Sequence, residues 1–132
     1  MRKIFLFAAI VLAFFLQPIS GCKPEPIESK EENLRISTDA STYKEVPGPD
    51  FDLNLTVESA MPAAGVRIVT IVKGETDNSN YPQGASIETI ANVTKIHVVN
   101  LPRQKFCICT VTVTSKSNNA NIATASFRVV YK

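Results

Sequence analysis

Residues 94–113 read TKIHVVNLPRQKFCICTVTV. One alternating run ends at Leu101-Pro102, where proline withholds a backbone donor and forbids further pairing, and another opens a few residues later. Ile96 and Val98 share one face of the first run. Cys107, Cys109, Val111 and Val113 share one face of the second, and Thr110, Thr112 and Thr114 occupy the other. A period of two is the signature of a strand with one buried face, so the stretch predicts two strands joined across a corner.

The flanking sequence repeats the pattern. FDLNLTVES sets Phe51, Leu53, Leu55 and Val57 against Asp52, Asn54, Thr56 and Glu58, which predicts a half-buried antiparallel strand. Val66–Val72 is apolar on both faces and predicts a central strand. Ile122–Lys132 turns Ala123, Ala125, Phe127, Val129 and Tyr131 to one side and Thr124, Ser126 and Arg128 to the other. Turn chemistry separates these runs at 45–50 (EVPGPD), 58–65 (ESAMPAAG), 74–84 (GETDNSNYPQG) and 115–121 (SKSNNAN). Residues 86–93, SIETIANV, fit either a helical turn or an irregular strand connection.

The corner in 94–113 resembles the one between the fifth and sixth strands of fibronectin type III and related immunoglobulin-like domains. In that family two inward residues precede the corner leucine by five and three positions, here Ile96 and Val98 before Leu101, and an inward residue follows it by six, here Cys107. The family usually carries a tyrosine at that last position, and a core tryptophan as well. This chain has Cys107 there and no tryptophan. The departures bear on the subclass, and the resemblance implies an all-β, antiparallel immunoglobulin-like sandwich of about seven strands over residues 34–132.

The amino terminus reads differently. Arg2 and Lys3 precede an apolar run from Ile4 to Leu16, followed by Gln17, Pro18 and small residues. This is the layout of a cleaved secretory signal, shorter than the roughly 20 apolar residues a membrane span needs. Ile19-Ser20-Gly21-Cys22 then resembles the bacterial lipobox. That resemblance implies cleavage between Gly21 and Cys22, diacylglyceryl transfer to the Cys22 sulfur and acylation of the new amino terminus. Acyl chains of this kind anchor a protein without spanning the bilayer.

Residues 23–33, KPEPIESKEEN, hold one aliphatic side chain, Ile27, and cannot bury a core. They read as a hydrated tether that, at ~3.3 Å per residue, reaches about 30 Å from the bilayer. The expected organisation is a signal at 1–21, the lipidated cysteine and tether at 22–33, and one domain at 34–132. Lys23 is unlike the aspartate that retains lipoproteins at the inner membrane under the familiar enterobacterial rule, which favours the outer membrane. Glu31 and Glu32 hint at surface export.

The formal net charge of +2 comes from Arg2 and Lys3, so removal of the signal leaves bases and acids in balance. No basic patch argues for nucleic acid. Cys107 and Cys109 stand at i and i+2 on one strand face, at the edge of disulfide geometry, and read as free buried thiols. A Cu(I) site would need both thiolates exposed. His97, the only histidine, falls on an outer face between Ile96 and Val98, and a multi-histidine metal site cannot be assembled.

Asp77, Asn78 and Asn80 could serve calcium, but turn chemistry explains them as well, and their spacing matches no EF-hand loop. Asp50 and Asp52, at the start of a strand, and Glu75 complete the carboxylate candidates. No phosphate loop, nucleophile elbow or rigidly paired carboxylates appear, so the reading is non-enzymatic, with no cofactor and no metal.

Binding surfaces are the remaining expectation. Val69 or Ile71, Ile108 and Val130 form an outward apolar set if their strands lie side by side. Met61, Pro62 and the 115–121 turn belong at one end of the sandwich and Tyr81 at the other, with Tyr81 the strongest ligand-contact candidate and Tyr43 the second. The expected function is a lipid-anchored envelope module for protein contact, adhesion or assembly. A carbohydrate-binding accessory of a surface glycan-uptake system is the alternative, and it needs exposed aromatic rings in a row.

Overall fold

The computed structural model describes residues 30–132, so the signal segment and Ile19-Ser20-Gly21-Cys22 lie outside the described residues. Nine strands follow: β1 (Ile36–Thr38), β2 (Tyr43–Val46), β3 (Phe51–Val57), β4 (Val66–Gly74), β5 (Asn80–Tyr81), β6 (Ile87–Thr89), β7 (Val93–Val98), β8 (Phe106–Ser115) and β9 (Ile122–Tyr131). They make a three-stranded sheet, β1-β3-β7, and a six-stranded sheet, β2-β9-β8-β4-β5, with β6 also on β4. The described residues form an all-β sandwich, compatible with an immunoglobulin-like domain.

Two departures from the expected architecture have local causes. The count exceeds seven because β5 and β6 divide one edge of β4 between them, β5 at Val72–Lys73 and β6 at Val66–Ile68. β5 lies inside the stretch read as a loop, and β6 inside the ambiguous 86–93 segment. Pairing is also not wholly antiparallel. After β1 pairs with β3, the chain crosses at residues 39–42 to the other sheet, where β2 runs parallel to β9 from Tyr43↔Arg128 to Val46↔Tyr131.

The alternation in the sequence becomes the core. Leu53, Leu55, Val57, Ile96, Val98 and Leu101 meet Val66, Ile68, Val72, Cys107, Cys109, Val111, Val113, Phe127 and Val129 between the sheets. β4, ambiguous by sequence, buries Val66, Ile68 and Val72 and exposes Val69 and Ile71. The aromatic anchor of the interior is Phe127, which meets Phe51 edge to face at 6.2 Å. In place of a tyrosine hydroxyl, the corner is held by the last strand. The Gln104 N–H donates to the Tyr131 carbonyl at 2.6 Å, and Asn100 and Gln104 take positive φ to make the bend.

Gly65 ends the β3–β4 turn at φ +83°, and a Cβ there would stand 2.6 Å from the Thr89 carbonyl oxygen. Gly65→Ala is therefore expected to cost about 2 kcal/mol, the sum of left-handed strain and a backbone collision. Urea unfolding checks this; a loss under about 0.5 kcal/mol would mean that the turn relaxes freely.

Candidate interaction surface

Three adjacent strands, β9, β8 and β4, carry the outer face of the larger sheet, with β2 beside β9. Inward Cys107 and Cys109 force Phe106 and Ile108 outward, and Val69 and Ile71 leave β4 on the same side. Tyr43 and Phe106 are each 39% exposed, Val69 38% and Ile71 42%. Ile108 is half-buried between Lys73 and Arg128. Outward Thr110, Thr112, Thr124 and Ser126 of β8 and β9 are hydroxylic, with Thr110 and Ser126 in contact at 3.1 Å, and Ile122 stands exposed at the far end of β9.

Charged pairs frame this apolar strip. The Arg128 guanidinium stacks 3.8 Å from the Phe106 ring centre and donates to Glu75 at 2.8 Å. Glu45 accepts from Lys132 and, at 2.7 Å, from the Tyr43 hydroxyl. The Lys132 bond first, and the Tyr43 bond next, hold the Glu45 carboxyl below its ordinary range, and the bond to Glu45 raises the Tyr43 phenol. The rings of Tyr43 and Phe106 are tilted by 44° with centres 6.4 Å apart.

Val130, expected in this patch, is only 3% exposed. It is flanked by Phe106 on β8 and Glu45 on β2, whose place beside β9 covers it. Phe106 takes its place. It was missed although its phase was available, since an inward Cys107 requires an outward Phe106.

Tyr81 and Tyr43 occupy opposite edges of the larger sheet, so the structure does not bring the two candidate rings together. Tyr81 packs partly against the core, and its hydroxyl lies 3.2 Å from the Lys105 ammonium. Lys105 also pairs with Asp77, whose other oxygen accepts the Ser79 N–H at 3.1 Å. The Asp77 carboxyl is held far below its usual range by Lys105 first and by Ser79 next. These bonds make Asp77 a turn residue, and among the described residues no three His, Cys, Asp or Glu side chains converge in a way that could hold a metal.

His97 lies outside, as its phase requires, with Nδ1 2.8 Å from Asp52 and Nε2 4.0 Å from Asp50. The Asp52↔His97 register, invisible in the sequence, makes that trio. Cys107 and Cys109 are free and fully buried. Met61 and Pro62 share one end of the sandwich with the 115–121 turn, where the Ala64 N–H donates to Ser117 Oγ at 2.9 Å.

No protein-family model matches the chain, and no curated protein matches its sequence. Its function is therefore read from these surfaces and from the sequence that precedes them.

Proposed function

We propose that this chain is a bacterial cell-envelope lipoprotein, anchored through Cys22 at the outer membrane, whose immunoglobulin-like module works by protein contact and carries no catalytic site. The reading rests on one observation above others, the outward apolar strip of exposed Tyr43, Phe106, Ile71 and Val69 with half-buried Ile108 among them on one sheet face. Apolar area of that kind gains free energy when a partner covers it. The tether at 23–33 supplies the reach, and the balanced charge of the mature chain favours neither nucleic acid nor an anionic surface.

Carbohydrate binding has the Tyr43–Phe106 pair in its favour, but Arg128 already covers one face of Phe106. A sugar ring would need that face free. Protein contact, which uses edges and methyl groups as well, fits the strip better.

Two substitutions test the proposal. Cys22→Ala is expected to move the chain from the membrane fraction to the soluble envelope fraction, and retention in the membrane would overturn the anchor. A photo-crosslinking residue at Ile71 is expected to give a discrete adduct with another envelope protein in intact cells, lost in Phe106→Asp. No adduct at Ile71 or at Val69 would overturn protein contact through this face.

A further inference from the structure

β7 is the outer strand of the three-stranded sheet, and its backbone can be accounted for rung by rung. The Val57 N–H donates to the Asn92 carbonyl at 2.7 Å, so the bonded rungs between β3 and β7 continue through Leu55↔Thr94, Leu53↔Ile96 and Phe51↔Val98. On the other side of β3, Asp39 bonds Asn54 and Glu58 bonds Arg35, which confirms the parity. Val93, Lys95, His97 and Val99 therefore direct their N–H and C=O groups away from β3, toward the free edge.

Val99 alone of these four has a partner among the described residues. Its N–H donates to Gln83 Oε1 at 2.9 Å and its carbonyl accepts from Gln83 Nε2 at 2.7 Å. A carboxamide that offers one acceptor and one donor in this way copies the peptide of a neighbouring strand. The ladder so begun stops after one rung, and among the described residues the rungs at 97, 95 and 93 stay open.

Beside that edge lies a cleft between the sheets, lined by the aliphatic Ile68, Ala85, Ile87 and Ile96 and by Thr70, Gln83, Gly84 and His97. A strand laid along β7 would turn alternate side chains into this cleft. The others would lie outside beside Val93, which is 59% exposed, and beside Lys95 and His97. The geometry points to β7 as a strand-addition site for an extended segment of another protein that carries aliphatic side chains at every second position.

Two occupants from within the chain fit poorly. Residues 23–29, KPEPIES, have two prolines without N–H groups and a single aliphatic, Ile27. A second copy paired antiparallel about Lys95 would set two ammonium groups directly opposite each other. The inference shares the protein-contact reading above but uses a different surface, so cross-linking at Ile71 and strand addition at β7 can fail separately.

The test uses the detergent-solubilised full chain and a fluorescein-labelled nine-residue peptide that alternates valine with glutamate. Saturable binding by anisotropy is expected, with amide exchange at Val93, Lys95 and His97 slowed about tenfold or more, since a bound strand covers those N–H groups. Lys95→Pro removes the outward N–H together with the ammonium, and edge strands tolerate proline; it is expected to weaken binding at least about tenfold, whereas Lys95→Ala, which loses the ammonium but keeps the N–H, should stay within about threefold. Exchange in the unsubstituted chain needs no variant to fold. Absence of binding, equal binding by Lys95→Pro, or protection away from β7 would overturn the proposal. So would a peptide-independent dimer protected at the same three amides.

Discussion

Iodoacetamide is expected to alkylate Cys107 and Cys109 in the folded domain at least about a thousandfold more slowly than in the urea-unfolded chain, because reaction must wait for opening. Both side chains are wholly buried on the inner face of β8, Cys107 opposite Gly74 and Val129, and Cys109 opposite Val72 and Phe127. The thiolate is the nucleophile, and burial opposes it. Burial pushes the Cys109 thiol up to about 12 and also raises Cys107. At pH 8 the Cys109 thiolate is then about one part in ten thousand even before access is considered. Mass spectrometry of a Cys22→Ala chain isolates the two sites. Rapid stoichiometric labelling under native conditions would show that β8 opens locally and that these sulfurs are accessible to redox or metal chemistry.

That result would also bear on what the sequence can convey. The inward phase of β3, β7 and β8 was legible because one face of each is consistently apolar, and a shift of one residue would have put Leu53 or Cys109 in water. β4 was legible as a strand but not in phase. Val66 to Val72 carries methyl-bearing side chains on both faces, and only its place between β8 and the β5/β6 edge decides that Val69 and Ile71 are the exposed pair.

β2 was hidden for a different reason. TYKEV is short and charged, and its parallel pairing with β9 depends on a crossing that no local signal encodes. The consequence was the misplaced Val130 and the unnoticed Phe106. The open edge of β7 was further out of reach, since it depends on hydrogen-bond parity and on the Gln83 carboxamide meeting Val99 across 16 residues. Registers and side-chain mimicry of backbone are tertiary facts. Composition does not carry them.

Asn121→Ala is expected to destabilise the domain by about 3 kcal/mol in urea unfolding with an unchanged slope. Asn121 is 8% exposed and ties the start of the fold to its last hairpin. Its Oδ1 accepts the Leu34 N–H at 2.9 Å, and its Nδ2 donates to Glu31 Oε1 at 2.6 Å and to the Glu32 carbonyl at 2.9 Å. The fold therefore takes hold of the chain at Glu31, ahead of the Leu34 at which the hydrophobic pattern begins. Truncation would leave the Leu34 amide without an acceptor beside a side chain that is only 6% exposed, and the cost of a buried orphan donor exceeds that of a lost surface bond.

Asn121→Asp separates geometry from charge. It keeps the acceptor for Leu34, loses both donations and sets a second carboxylate against Glu31. A carboxyl whose pKa is raised by folding destabilises the domain fully above its folded value and no longer does so below its unfolded value of about 4, so the electrostatic part of the Asn121→Asp deficit should be full at pH 7 and shrink as the pH falls toward about 4. Asn121→Ala should show no such recovery. A pH-independent deficit in Asn121→Asp would mean that Glu31 is not held at Asn121 in solution. The chain would then enter the fold nearer Leu34, about three residues later, and the segment ahead of the domain would be longer by about 10 Å.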